Sequence, residues 1–375
     1  MSPRARLLCA LVALAGCSGS SGDHGIDGEF TFLTTDNLDG EDDDPAVAVD
    51  AQGNLHVVWF SDRDGTKDLY HVCSTSIDLA TATIAWTSPV QITDLDPVDY
   101  PPPTQGDNFP ALAIDADGTL NLAWFRWNLA NECHILFERS DGTPQGWAAA
   151  VPVDVTTGAN FDRFPDVVRF ADDDLRIYFG SSTRKTPDVN DVFVVTSDDD
   201  GATWSAPAEV ASLNVFSQQS QFPSVVKRSD TEYLAVLDRW DIGTTADLFD
   251  PSSDVFYAES MDGETWTVDQ VSIDPLDDQN DLTPTLFFDH AGVPHIAWTT
   301  IALGDPAADL VQVPVSERGL YPDSARTLDP ALGVADHSPE IVALTVDGRD
   351  VFVMIWVRIV NPPHNQVGYR VFSRL

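Results

Sequence analysis

Four arginines stand at matched points of this chain. Arg126, Arg239 and Arg358 each lie two residues beyond Trp124, Leu237 and Trp356, while Arg163 lies two before Pro165. A guanidinium pairs bidentately with a carboxylate, so arginines at equivalent points suit either an anionic ligand or local ion pairs. Local acids are abundant, with Asp62, Asp64, Asp107, Asp162, Asp166, Asp238 and Asp241 close by in sequence. Trp127 and Trp240 flank two of the arginines and are candidates for stacking on a sugar ring, since an indole offers a broad apolar face with a polar edge. Two other chemistries find less support. No G-x-S-x-G sequence occurs to raise a serine nucleophile, and His337, His364 and Asp336 are a metal set by proximity in sequence only.

The elements that must position these residues come from a sixfold repeat. Pro45, Pro110, Pro165, Pro223, Pro284 and Pro339 recur at 65, 55, 58, 61 and 55 residues. Each opens an apolar strand, a turn and a second strand. Trp59, Trp124, Phe179, Leu237 and Trp298 fall fourteen residues after their prolines, and Trp356 seventeen after the sixth. In the first copy the two-residue alternation predicts strands over residues 46–49 and 55–60 around an Asp/Gly turn. The related turn at residues 115–119 lacks the closing carboxylate of a calcium loop and reads as a hairpin. No cofactor is expected, and calcium is not indicated.

Two further strands complete each copy, so the expected fold is all-β, a six-bladed β-propeller with four antiparallel strands per blade. The last copy supplies three strands before the chain ends. Residues 29–34 are expected to add the fourth and close the ring, which leaves no open edge. Connections from fourth to first strands and from second to third strands share one face of a propeller. The candidate residues are expected to wall a pocket there, at the mouth of the central channel. Candidate long loops on that face include residues 94–108, 239–254, 301–309 and 360–366.

Between the third and fourth strands of the third copy lies SDDDGATW, residues 197–204, in which Ser197, Asp199, Gly201, Thr203 and Trp204 fit the pattern S-x-D-x-G-x-T-W. This resembles the Asp-box of the sialidase superfamily, and SMDGETW at residues 260–266 is one residue short of it. A looser variant occupies residues 140–147. DRFPD at residues 162–166 resembles the arginine loop of sialidases, which implies that Arg163 binds a substrate carboxylate, with Arg239, Arg358 and Arg126 as further ring candidates. The resemblance also implies an acid/base aspartate, for which Asp166 and Asp107 are candidates, and a tyrosine nucleophile with a glutamate partner, for which Tyr100 and Glu340 are candidates. The loop falls in the third copy, whereas the family carries it in the first. The Asp-box itself belongs to the opposite face and is expected to staple a turn.

The N-terminus argues for export. Arg4 and Arg6 precede an apolar run over residues 7–14, too short to span a bilayer, and residues 14–17 (Leu-Ala-Gly-Cys) resemble a bacterial lipobox. Residues 1–16 therefore read as a lipoprotein signal peptide, Cys17 as the acylated residue, residues 17–28 as a tether and residues 29–375 as the propeller. Ser18 after the cysteine favours the outer membrane of the cell envelope. Loss of the leader takes the formal charge from −40 to −42, a field that repels nucleic acid and anionic lipid. That charge suits a solvated surface in a saline habitat better than clustered cation sites. Cys73 and Cys133 lie in neighbouring copies at unequal depths, which permits a disulfide without indicating one. The sequence thus reads as a surface-anchored, monomeric module binding a glycan or another cell-surface partner. An exo-α-sialidase-type glycoside hydrolase and a structural component of an envelope complex are the alternatives.

Overall fold

In a computed structural model, residues 26–34, 40–100, 105–158, 160–171, 173–184, 190–215, 218–241, 253–271, 279–302, 308–317, 326–328, 335–361 and 364–373 are described. The expected signal peptide, Cys17 and most of the expected tether lie outside the described residues. Six antiparallel sheets follow one another along the chain. Their inner strands are Asp42–Val49, Gly106–Ile114, Asp162–Arg169, Gln218–Ser229, Gln279–Phe288 and Asp336–Val346, and each pairs within its sheet only with the strand that follows it. This is the expected six-bladed propeller. Thr31–Phe32 pairs with His364–Phe372 through Thr31 opposite Tyr369 and Phe32 opposite Gly368, which completes the sixth blade.

Pairing begins slightly before the expected boundary. Asp27 bridges Phe372, and the Gly28 N–H donates to Val371 O at 2.8 Å, so residues 27 and 28, expected to be tether, are already part of the blade. The looser variant at residues 140–147 also differs from expectation. It enters a short helix, Pro144–Ala149, whose N-cap Thr143 accepts the Gly146 N–H at 3.0 Å. Proline sits at the start of that helix, where its missing N–H costs nothing.

The inner strands start earlier than the prolines suggested. Asp44, Phe109, Phe164, Phe222, Thr283 and Ser338, the residues just before the six prolines, all adopt positive φ between 47° and 55°. At each the register with the second strand shifts, between Asp43 and Ala46 in the first blade and at the equivalent points in the others. The bulge carries the strand through the proline. Proline is tolerated because the inner strand has one free edge, facing the channel, where no ladder partner needs its N–H. A left-handed residue of this kind costs about 1–3 kcal/mol, which the surrounding packing must offset.

The core is divided among the six gaps between blades. Trp59, Trp124, Trp298 and Trp356 on the second strands are fully buried, each in a cluster shared with a neighbouring blade. Between the first and second blades the packing is partly polar. The Trp147 Nε1–H donates to His71 Nδ1 at 3.1 Å, and His71 Nε2 lies 3.0 Å from His56 Nδ1. With Trp147 donating to one His71 nitrogen, the other must carry the proton and donate to His56. Cys73 and Cys133 are free thiols, so no disulfide joins these blades.

The turn at residues 197–204 is held by its own side chains. Asp199 accepts from the Thr203 N–H at 2.8 Å and the Thr203 hydroxyl at 2.6 Å, while Ser197 Oγ accepts the Gly201 N–H at 2.8 Å. Gly201 has φ +81°, and a Cβ there would lie 2.1 Å from Phe137 Cε1 in the preceding blade. Only glycine fits both demands. Asp200 of the same turn accepts from Arg169 Nη1 at 2.8 Å and lies 3.4 Å from Arg139 Nη1, and both arginines also pair with Asp115 of the preceding blade.

Candidate functional site

Each inner strand runs from the loop-rich face inward, so the residues around the prolines form rings about the axis. They enclose a central cavity of about 670 Å³ lined by all six inner strands. The outer ring, just before the prolines, is divided by chemistry. On one side Phe109, Phe164 and Phe222 form a continuous aromatic patch. Phe164 stacks on Phe222 at 3.9 Å, and Phe109 meets Phe164 edge-on at 4.7 Å.

On the other side stand Asp44, Thr283 and Ser338, with a polar cluster behind them. Asn365 Nδ2 donates to Asp43 Oδ2 at 2.5 Å, and His337 Nδ1 lies 3.8 Å from Asp43 Oδ1 and 3.1 Å from Ser338 Oγ. The same ring nitrogen faces both the hydroxyl and the carboxylate, which is not the geometry of a serine relay, where opposite nitrogens serve the two. Burial and the neighbouring Asp43 hold the Asp44 carboxyl well above the usual range, and Ser338 hydrogen-bonds it.

One layer deeper, the residues just after the prolines point toward the next blade and bind it. Asp166 accepts the Val225 N–H in a short hydrogen bond, Ser224 Oγ accepts the Leu286 N–H at 3.4 Å, and the Thr285 hydroxyl donates to Glu340 at 3.3 Å. Asp166 and Glu340 thus sit on the third and sixth blades of the same ring. Water reaches both through the cavity, yet protein surrounds them. Burial pushes the Asp166 carboxyl up to about 7. Burial, and next the charge of Asp166, pushes Glu340 up to about 8. Glu340 therefore lies in the field of Asp166 within the channel, with Asp166 one layer below Phe164 and Glu340 one layer below Ser338.

The arginines tell a different story from a triad converging on a ligand. Three residues before each proline stand Asp42, Asp107, Asp162, Ser220, Asp281 and Asp336, all buried. Asp107 takes two hydrogen bonds from Arg126, at 2.7 and 2.8 Å, and Asp336 two from Arg358, both 2.8 Å. Asp162 takes two from Arg184 at 2.8 and 2.5 Å, and Asp42 one from Arg63 at 3.0 Å. In the fourth blade Ser220 replaces the aspartate, and Arg239 is turned onto Ser220 Oγ at 3.2 Å and Leu213 O at 2.5 Å. Burial lowers Arg239 to about 10. Arg126, Arg239 and Arg358 are thus engaged within or beside their own blades. The aspartates that hold them were visible in sequence as an acid three before five of the six prolines, a period that the aromatic register obscured.

Arg163 is the exception. Its guanidinium carbon lies 4.4 Å from the Phe161 ring and 4.8 Å from the Phe164 ring, and among the described residues no carboxylate pairs with it. Burial lowers its affinity for the proton. Its neighbour Cys133 is pushed up to about 12, by burial first, which keeps it a neutral thiol.

The remaining candidates are dispersed. Tyr100 lies with its ring 5.6 Å from the Arg126 guanidinium, beside the first gap and away from Glu340 of the sixth blade. Trp240, expected in a loop, is 4 % exposed within the strand Glu232–Asp241 and presents no free face. Trp127 is half-buried, meets Phe161 edge-on at 5.7 Å and donates to Asn131 Oδ1 at 3.2 Å. Asp336 is committed to Arg358, so His337 and His364 lose the carboxylate of the imagined metal set. Among the described residues no three His, Cys, Asp or Glu side chains form a group that could hold a metal ion.

No protein family matches the chain, and no curated protein resembles it in sequence. Solved structures do share its fold. A protein of unknown function from Dyadobacter fermentans superposes with a TM-score of 0.65 at 14% identity, covering 94% of this chain and 100% of that one. The Penicillium chrysogenum α-L-arabinanase complexed with arabinobiose gives a TM-score of 0.62 at 14% identity, covering 93% and 98%. The NanB sialidase of Streptococcus pneumoniae gives 0.59 at 11% identity, covering 92% of this chain and 70% of that one. At these identities the likeness establishes the six-bladed architecture that the chain shares with glycoside hydrolases.

Proposed function

We propose that this chain binds carbohydrate at the mouth of its central channel, as a lipid-anchored module of the bacterial envelope, and that binding does not require turnover. One observation carries the reading: the mouth is split between a contiguous patch of Phe109, Phe164 and Phe222 and an opposing arc of Asp44, Thr283 and Ser338. A sugar ring has the same division, with apolar C–H faces and a hydroxyl periphery, so a stacked ring can direct its hydroxyls toward the polar arc. The arabinanase of the same fold was solved with arabinobiose, which places neutral pentose chains among the first ligands to try. The leader and Cys17 support anchoring at the cell surface. A glycan array with the mature protein tests binding. Hits that weaken about tenfold in Phe164→Ala or Phe222→Ala, the effect of ~1.4 kcal/mol, support the mouth as the site. A blank array favours instead a structural component of an envelope complex.

A glycoside hydrolase is the second reading, favoured by Asp166 and Glu340, two carboxyls held near neutrality within one ring. Glycoside hydrolysis uses such a pair, one protonated and one ionised. One feature weighs against it: the Val225 N–H occupies Asp166. Within that reading Arg163, which among the described residues pairs with no carboxylate, is the candidate to meet a substrate carboxylate. Release of nitrophenol from aryl arabinofuranosides and sialosides separates the cases. Turnover lost in both Asp166→Asn and Glu340→Gln would establish the enzyme.

A further inference from the structure

A second cavity opens on the face that carries the channel mouth, between the second and third blades. It encloses about 390 Å³ and is lined by Ala130, Asn131, Glu132, Asn160, Phe161 and Thr183. The lining combines one aromatic ring with two amides, a hydroxyl and a carboxylate. Ala130, Asn131 and Thr183 are exposed, and Phe161 and Glu132 are half-buried, so solvent reaches these groups. The walls are fixed. The Phe161 N–H donates to Thr183 Oγ1 at 2.9 Å, the Cys133 N–H donates to Asn160 O at 2.9 Å, and the Asn131 backbone is pinned at φ +61° beneath the Trp127 indole hydrogen bond.

Side-chain contacts link this cleft to the mouth. Phe161 touches Trp127 on its outer side, and the Arg163 guanidinium lies against both Phe161 and Phe164, the latter being a member of the mouth's aromatic patch. Trp127, Phe161, Arg163 and Phe164 thus form a row of flat side chains between the cleft and the mouth. The chain's formal charge of −40, and Glu132 in the cleft itself, disfavour a polyanion along this row.

We infer that the cleft between the second and third blades is an outer subsite for a neutral oligosaccharide whose inner end occupies the channel mouth, so that the ligand is a glycan chain rather than a single sugar. The inference rests on the mouth being a carbohydrate site. Amides and a carboxylate supply the donors and acceptors that ring hydroxyls need, and Phe161 supplies the stacking face. Each occupied subsite adds affinity, so binding must rise with chain length until both are filled.

Calorimetric titration of the mature protein with arabino- and xylo-oligosaccharides, from monosaccharide to hexasaccharide, tests this. We expect affinity for at least one series to rise about tenfold or more with length, or ~1.4 kcal/mol. That increment should vanish in Phe161→Ala. It should also vanish in Ala130→Trp, which fills the cleft from an exposed position and leaves the fold alone. Binding of the shortest ligand should persist in both. Equal affinity for all lengths overturns the outer subsite while leaving the mouth intact. No binding at any length overturns the mouth reading and the subsite with it, and tighter binding of oligouronates than of neutral chains overturns the assignment of a neutral ligand.

Discussion

Arg358 and Asp336 meet through two hydrogen bonds of 2.8 Å across the first two strands of the sixth blade, with Asp336 2 % exposed. The same pairing recurs as Arg126 with Asp107 and Arg184 with Asp162, so it belongs to the repeat rather than to one ligand site. Removal of one partner leaves a buried charge uncompensated. Arg358→Ala should therefore cost about 3–5 kcal/mol, measured by urea unfolding, whereas the double change Arg358→Met with Asp336→Leu should cost far less. Equal losses in both would show that the ion pair is not what the single variant breaks.

Glu340→Gln should stabilise the protein at alkaline pH. The folded-state pKa of about 8 lies above the ordinary 4.5, so the contribution of this group to stability is full below pH 4.5 and lost as pH rises through 8. Glutamine cannot ionise and still accepts from Thr285. Melting temperatures of the two proteins should coincide near pH 4 and separate progressively up to about pH 9. A constant difference across that range would refute the assignment.

His71 acts at the other end of the scale. Burial, and next His56, pushes it down to about 3 from 6.5, so its contribution is full above pH 6.5 and is lost as pH falls through 3. His71→Gln keeps an acceptor for the Trp147 indole and removes the proton. Its stability should fall less steeply than that of the parent between pH 6.5 and 3, as read from urea midpoints.

Gly201→Ala should destabilise by about 1–3 kcal/mol, because the added methyl must enter the Phe137 ring while the backbone stays at positive φ. Gly53→Ala is the control, since its φ is +84° but nothing lies within 4 Å of the new Cβ. A smaller loss at Gly53 isolates the contact between blades from the cost of the backbone.

The repeat made the architecture legible. Proline spacing and the aromatic register gave six blades, and the three-strand last copy gave the closing strand, because both follow from local periodicity. The site was less legible for a physical reason. Residues before each proline read as loop, since proline usually ends regular pairing, yet a left-handed residue and a bulge let the inner strand continue through it. Asp107 and Asp162 were thereby placed at a rim when they are buried in strands. Phe109, Phe164 and Phe222 went unremarked because an isolated phenylalanine before a proline carries no signal until the ring closes. Trp127 and Phe161 meet only through the contact of two blades, which no local pattern encodes.

The closing strand also sets which way the molecule faces. Asp27 bridges Phe372 at the end of the sixth blade's third strand, on the side of the hairpins that join third and fourth strands and opposite the loop-rich mouth. The chain therefore enters the ring from beneath. On the proposed anchoring, a lipid at Cys17, nine residues earlier than Ile26, would hold that underside toward the membrane and present the channel outward. Any pull on the ligand would, with that anchor, be transmitted through the whole seam that joins residues 26–34 to the third strand of the sixth blade, in which Asp27 bridges Phe372, the Gly28 N–H donates to Val371 O, and Thr31 and Phe32 face Tyr369 and Gly368.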